Sequence, residues 1–238
     1  MQKYTAIILT SREIGEFDRL YTMYTLEQGL LKVAAKGVRK PAAKLAGHLE
    51  PATLSEVYVA RSRGRGQITG AIAAMNFKKI KSSLEKLQAF IGASRFFSRF
   101  FSEGEADKKI FDLLLNFLKT LDCNAGRGKK GRDELAILAF WWKLFDQMGQ
   151  KPEVAKCVVC KKKPKSGQNF FSLEKGGIAC SVCGPKEKNI FPISDNQIKL
   201  LRLFLSNSLE NAVKIKIPKE ELERLMVLTK VFRKFYFA

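Results

Sequence analysis

The sequence predicts an α+β protein, a small N-terminal β-barrel followed by an α-helical domain that carries an inserted metal-binding ribbon. Three observations predict this. The first 80 residues hold five short runs rich in Tyr, Thr, Val, Ile and Leu; after residue 81 the apolar residues recur at helical spacing; and four of the five cysteines stand in two C-x-x-C pairs between residues 157 and 183.

Strands are expected at Tyr4–Thr10, Phe17–Leu26, Leu30–Lys36, Leu54–Arg61 and Gln67–Met75, divided by Gly-bearing or charged breaks. Among five-stranded barrels the oligonucleotide-binding (OB) fold is the common choice, and it takes its ligand on a strand face flanked by loops. Residues 1–80 are therefore expected to form an OB-fold nucleic-acid-binding domain. Its charge agrees, since residues 1–81 carry 14 basic against 6 acidic side chains. Lys36, Arg39, Lys40 and Lys44 follow the third strand in KGVRKPAAK, and Arg61, Arg63 and Arg65 ride the hairpin RSRGRG. These seven cations are the candidate nucleic-acid contacts; the competing reading is a solvated face. Tyr21, Tyr24 and Tyr58 lie on the nearby strands, where exposed aromatics beside cations stack unpaired bases and buried ones pack a core.

Beyond residue 81 the period changes to that of helices. Ser82-x-x-Glu85 has the form of a capping box, and Leu84, Leu87, Ile91, Ser94, Phe97 and Phe101 follow at helical spacing. Helices are expected at about 107–122, with Ile110, Leu113, Leu114, Phe117 and Leu121 on one side, and at about 133–148, with Leu135, Leu138, Trp142 and Phe145. The basic run Arg127 to Arg132 leads into the second of these. Ser194-x-x-Gln197 opens another helix, and Pro218 suits the first position of the last. Residues 81–238 thus read as one helical domain, with 153–189 inserted in it.

The chain has 43 Lys and Arg against 23 Asp and Glu, a net charge of +20 that favours polyanionic partners, nucleic acid before a membrane surface. No window approaches the roughly 20 apolar residues of a bilayer span, and the N-terminal apolar run Ala6 to Leu9 is too short for a signal-peptide core. No membrane association is expected, and the expected location is the cytoplasm. In that reducing compartment paired cysteines serve more often as metal ligands or redox pairs than as disulfides. Cys157 and Cys160 are separated by 19 residues from Cys180 and Cys183, within the range of structural zinc sites, whereas a thioredoxin-like pair needs only one C-x-x-C. Between the pairs, Phe170 to Leu173, a Glu174-Lys175-Gly176-Gly177 turn and Ile178-Ala179 read as a hairpin. One structural zinc on Cys157, Cys160, Cys180 and Cys183 is expected, closed by four thiolates and leaving no position for a substrate.

His48-Leu49-Glu50 shares H-x-E with zinc nucleotide deaminases. Lys156, however, stands where those enzymes have proline, and a second cysteine pair fills the site; His48 reads as an exposed loop residue. Cys123 receives no function. The chain lacks G-x-x-x-x-G-K-[ST], lacks G-x-G-x-x-G after a strand, and has a single histidine. Neither an enzyme nor a small-molecule substrate is expected.

The order of parts is specific. A basic five-stranded segment carries Lys36-Gly37-x-Arg39-Lys40-Pro41 after its third strand and Leu49-Glu50-Pro51 before its fourth. Gly149 and Pro152 precede Cys157 and Cys160, and Gly176-Gly177-x-x-Cys180-x-x-Cys183 follows. This arrangement resembles the bacterial recombination mediator family RecO over nearly the whole chain. The resemblance implies a DNA repair protein, located in the cytoplasm at the nucleoid, that binds single- and double-stranded DNA. It implies annealing of complementary strands without ATP and, with RecR, loading of the RecA recombinase onto DNA coated by single-stranded-DNA-binding protein. It also implies recruitment by the acidic, apolar-ended tail of single-stranded-DNA-binding protein, hence an apolar pocket edged by cations, for which Arg132 is the candidate. The alternative is a zinc-ribbon scaffold on RNA or the ribosome, since such ribbons joined to basic barrels occur there too. Relative affinity for single-stranded DNA and structured RNA separates the two.

Overall fold

A computed structural model describes residues 1–41, 43–60, 66–123 and 130–237, with Lys130 by its backbone only. The chain divides into two compact units, 1–125 and 126–238. The expected boundary near residue 80 marks the change from strand to helix, whereas the compact units divide one helix pair later.

In the first unit β1 (Gln2–Glu13), β2 (Arg19–Thr25), β3 (Gly29–Ala35), β4 (Thr53–Ala60) and β5 (Gln67–Asn76) close a barrel in the order β1-β2-β3-β5-β4. β4 returns antiparallel to β1, and β3 meets β5 in parallel at Ala34 and Gln67. This is the OB arrangement the composition predicts. The two-residue period of the strands sends Tyr4, Ala6, Ile8, Tyr21, Met23 and Val57 into one shared core. Tyr24, of opposite parity on β2, points out of the barrel. Its ring meets Phe97 edge-on at 4.9 Å and Phe101 at 5.3 Å, both contributed by α2 (Leu84–Phe100) and its C-cap, and lies 6.4 Å from Phe111 of α3 (Lys108–Cys123). These aromatic contacts are why α2 and α3 belong with the barrel.

Two expectations for α2 are corrected. Ser82 does not cap it: Ser83 is the N-cap residue, without a side-chain cap bond, because the short helix α1 (Lys78–Lys81) runs up to Ser82 as its C-cap. The buried face is Lys86, Phe90, Ala93, Ser94, Phe96 and Phe97, so Ser94 and Phe97 of the expected stripe are buried while Leu84 is 71% and Ile91 38% exposed. The segment AFIGASRFFSRFF is apolar on more than one side, and packing adds Phe90, Ala93 and Phe96 to the buried face in place of Leu84 and Ile91. Lys86 is buried with them because its ammonium donates to the Leu121 carbonyl at 2.6 Å, at the C-terminal end of α3.

The second unit contains α4 (Lys130–Gln147), a three-stranded sheet of β6 (Asn169–Ser172), β7 (Gly177–Ala179) and β8 (Ile190–Ile193) ordered β7-β6-β8, then α5 (Asp195–Ser206), α6 (Leu209–Ala212) and α7 (Lys219–Tyr236). Trp142 is its centre, with Phe232 at 4.9 Å, Phe145 at 5.5 Å and Phe171 at 5.8 Å. The buried indole Nε1–H donates to Thr229 Oγ1 at 2.9 Å, and that hydroxyl donates to the Leu225 carbonyl at 2.7 Å, so both of these buried donors are satisfied. The Ser194–Gln197 capping box forms in full. Ser194 also donates to Glu221 Oε2 at 2.8 Å, tying the start of α5 to α7. Pro218 stands at the N-cap of α7, one position before the place expected for it. Among the described residues no helix is long and apolar enough to cross a membrane.

Candidate metal centre and nucleic-acid interface

The ribbon brings its four cysteines together. Cys157 and Cys160 lie on a turn ahead of the hairpin, and Cys180 and Cys183 lie directly after β7. The first turn is tied to the hairpin by Val158 N–H, which donates to the Ile178 carbonyl at 2.8 Å; in the second, Cys183 and Gly184 N–H donate to the Cys180 carbonyl at 3.1 and 2.7 Å. Arg202 of α5 secures the approach, its Nε donating to the Val154 carbonyl at 2.7 Å. Two glycines make the packing possible. A Cβ on Gly177 would lie 2.4 Å from the Glu153 carbonyl oxygen, and one on Gly184 would lie 2.2 Å from the Phe170 ring.

The four sulfurs lie within 4.8 Å of one another, and those of Cys160 and Cys180 are 3.9 Å apart. A tetrahedral zinc with sulfur ligands at about 2.3 Å requires edges of about 3.8 Å. The electrostatics point the same way. Burial opposes ionisation of Cys157, but N–H groups of Cys160, Cys180 and Val159 turned toward its sulfur outweigh it and hold the thiol down at about 6. The Cys183 thiol is pushed up to about 12, first by the sulfur of Cys180 and then by its own desolvation. One thiolate thus forms readily and the last resists among its crowded, hydrogen-bonded sulfur neighbours; a dication would favour the thiolate form of all four. The donor set fits a zinc ion, which would make all four thiolates its ligands and leave the site closed.

The basic segment after β3 is held on the barrel by its own apolar residue. Val38 is buried in the barrel core, with Leu45 and Ala46 packed against it, so Lys36, Arg39, Lys40 and Lys44 face solvent. Gly37 N–H donates to Asp18 Oδ1 at 2.8 Å and Arg39 N–H to the Phe17 carbonyl at 3.0 Å, fastening the segment to the β1–β2 connection. Arg39 is engaged further, with Nη1 3.0 Å from Glu13 Oε2 and 3.1 Å from the Glu16 carbonyl. Lys36, Lys40 and Lys44 enter no ion pair among the described residues. Arg61, Arg63 and Arg65 lie outside the described residues. Tyr21 and Tyr24 are buried and belong to cores; Tyr58 is half-buried on β4. The expectation of an exposed His48 is corrected: it is half-buried at the end of a short 3-10 turn, where its Nδ1 accepts from Ala73 N–H at 3.2 Å.

Arg132, exposed in the first turn of α4, lines an open groove of about 270 Å³ together with Leu135, Val213, Lys214, Lys216 and Leu222. The two lysines escaped sequence reasoning, although the alternation Lys214-Ile215-Lys216-Ile217 was available as a signal. Cys123 is exposed at the end of α3.

Comparison with known proteins covers both units. Residues 1–77 match the family model described as Recombination protein O N terminal, and residues 81–238 match Recombination protein O C terminal. Curated relatives named DNA repair protein RecO align along most of the chain. The sequence is 36% identical to that of Dehalococcoides mccartyi over 94% of this chain and 85% of the relative. For Desulforamulus reducens the values are 26%, 98% and 89%, and for Bacillus pumilus 28%, 85% and 76%.

Proposed function

The chain belongs to the RecO family, which acts in DNA repair and recombination, and from that premise we propose that it binds single- and double-stranded DNA and anneals complementary strands without a nucleotide triphosphate. With RecR it would help RecA onto DNA coated by single-stranded-DNA-binding protein, working at the nucleoid in the cytoplasm and catalysing no covalent reaction. In this reading residues 1–80 are the DNA-binding domain, and 81–238 are the helical domain with the zinc ribbon at 153–189. The observation that carries the proposal is the row of exposed cations Lys36, Lys40 and Lys44 held outward on an OB barrel by buried Val38. Arg61, Arg63 and Arg65, in the segment RSRGRG, join this proposal by their charge alone. Base pairing is downhill, so the obstacle to annealing is the approach of two polyanions. A surface of this charge lowers that repulsion while leaving base edges free.

The test is annealing of two complementary oligonucleotides by the purified protein. Acceleration is expected with the protein alone, is expected to fall steeply as salt rises, and is expected to be indifferent to ATP. Tight binding without acceleration, or acceleration only with ATP, would replace this reading with that of a binding scaffold, and preferential binding of structured RNA would make it an RNA scaffold. The zinc assigned to Cys157, Cys160, Cys180 and Cys183 has a structural part in this scheme, holding the ribbon on the α4 and α7 aromatic core.

The groove beside Arg132 suits an acidic peptide with an apolar end, because Leu135, Val213 and Leu222 supply an apolar floor under Arg132, Lys214 and Lys216. We assign it to the tail of single-stranded-DNA-binding protein. Arg132→Glu is expected to weaken binding of a tail peptide roughly tenfold or more, since it removes a charge-assisted contact and adds a repulsive one. Undiminished binding by fluorescence anisotropy would remove Arg132 from the site.

A further inference from the structure

We infer that Phe17 is a base-stacking platform and that it, rather than the surrounding cations, would make the barrel hold unpaired strands more tightly than duplex; this rests on the DNA-binding reading above. Among the described residues Phe17 is the exposed phenylalanine of the first unit, 39% accessible, with Ile14 of the same connection 47% accessible. Phe17 is thus a partly solvated aromatic side chain in the β1–β2 connection. The ring is nevertheless carried on a fastened stretch of backbone. Arg39 N–H donates to its carbonyl at 3.0 Å, Ile14 N–H donates to the Asp18 carbonyl at 3.2 Å, and Asp18 in turn accepts from Gly37 N–H at 2.8 Å. A platform held in place before the ligand arrives loses little conformational entropy on binding.

Its surroundings identify the ligand. The Lys40 ammonium lies over one face of the ring, 5.8 Å from its centroid, where a phosphate could draw it away as a base takes its place, and Lys36 and Arg39 precede it on the segment fastened to the Phe17 carbonyl. A phenyl face beside cations, on one of the connections that border the ligand face of an OB barrel, presents a stacking surface and phosphate contacts together. A nucleotide carries a flat base and an anionic phosphate in one unit, and so uses the ring and the cations at once. Bases within a duplex already have both faces stacked, so only an unpaired base can use the ring. The phosphate contacts, by contrast, are available to either form. Phe17 thus discriminates between single strands and duplex, while the lysines set overall affinity.

The experiment measures binding by fluorescence anisotropy of a thymine oligonucleotide, an abasic oligomer of equal length and a duplex, over a salt series, with the full chain. Phe17→Ala is expected to weaken the thymine oligonucleotide about tenfold, to leave the abasic oligomer and the duplex unchanged, and to leave the salt slope unchanged because no counterion is released at the ring. Phe17→Trp is expected to restore binding and to add fluorescence that the bound oligonucleotide quenches. Undiminished binding of the thymine oligonucleotide by Phe17→Ala, or an equal loss on all three probes, would overturn the inference. Those outcomes leave DNA binding standing, whereas failure of the unaltered protein to bind any of the three probes would overturn the DNA-binding reading and this inference with it.

Discussion

Replacing Cys180 by serine is expected to release the bound metal and to lower the thermal midpoint of the unit 126–238 by roughly 15 °C or more, while affinity for DNA stays in place. The size of the effect follows from what the ribbon has without a metal. Its strands are three or four residues long and are joined by turns, so little apolar area is available to offset the entropy of ordering them. A structural zinc contributes apparent binding free energies of about 10–16 kcal/mol in small zinc domains, and loss of a metal belongs with the few single changes that exceed about 4 kcal/mol. The loss does not stay in the ribbon. Phe171 is fully buried and packs 5.8 Å from Trp142 and 5.9 Å from Phe232, so a disordered β6 opens the aromatic core around α4 and α7. Both tryptophans of the chain, Trp141 and Trp142, lie on α4. Their emission is therefore expected to shift to the red in Cys180→Ser and in unaltered protein stripped by a strong chelator, and zinc return should reverse the second change. A variant that kept one equivalent of zinc and the parental midpoint would refute the four-thiolate site. The barrel belongs to the other compact unit, which is why DNA affinity serves as the control.

The features legible in the sequence are those that repeat or that have a single physical solution. Five β-rich runs followed by helical periodicity specified the classes of element in order, and the doubled C-x-x-C specified the cluster because two such pairs at a zinc-site spacing have few other uses. Ser194 and Gln197 were legible for the same reason, a local pattern satisfied by local bonds. Patterns that packing must arbitrate were not. On α2 the helical spacing gave Ser94 and Phe97 correctly, but not that Phe90, Ala93 and Phe96 are buried while Leu84 and Ile91 are exposed. Phe17 looked like the first residue of a strand because it precedes a β-rich run, yet Arg39 N–H holds its carbonyl in the turn. β8 went unnoticed because Phe191-Pro192 interrupts a strand pattern; an edge position in the order β7-β6-β8 tolerates that proline. The groove joins Arg132 of α4 to Lys214 and Lys216 of a segment some 80 residues later, a juxtaposition no local signal carries.

Replacing Lys36, Lys40 and Lys44 together by glutamine is expected to lower affinity for single strands about 100-fold at 0.1 M salt and to flatten the salt dependence by about 2 in the slope of log affinity against log salt. Each phosphate neutralised on a single strand contributes about 0.7 to that slope, so three contacts contribute about 2. At 0.1 M each is then worth roughly fivefold relative to 1 M. These three lysines, and not Arg39, form the decisive set because of their partners. Arg39 is bound to Glu13 at 3.0 Å and to the Glu16 carbonyl at 3.1 Å, so it must give up existing contacts before it serves a phosphate. Lys36, Lys40 and Lys44 are exposed and have no ion pair among the described residues to break. Arg39→Gln alone is accordingly expected to change the slope by less than one contact's share. It should also loosen the β1–β2 connection through the lost Glu13 contact. Duplex and single strands are expected to suffer alike from the triple change, because phosphates carry no information about pairing. A titration series in which the triple variant kept the parental slope would move the phosphate path off the barrel, with the lysine-rich stretch Lys161 to Lys165 beside the cysteines as the next surface to change.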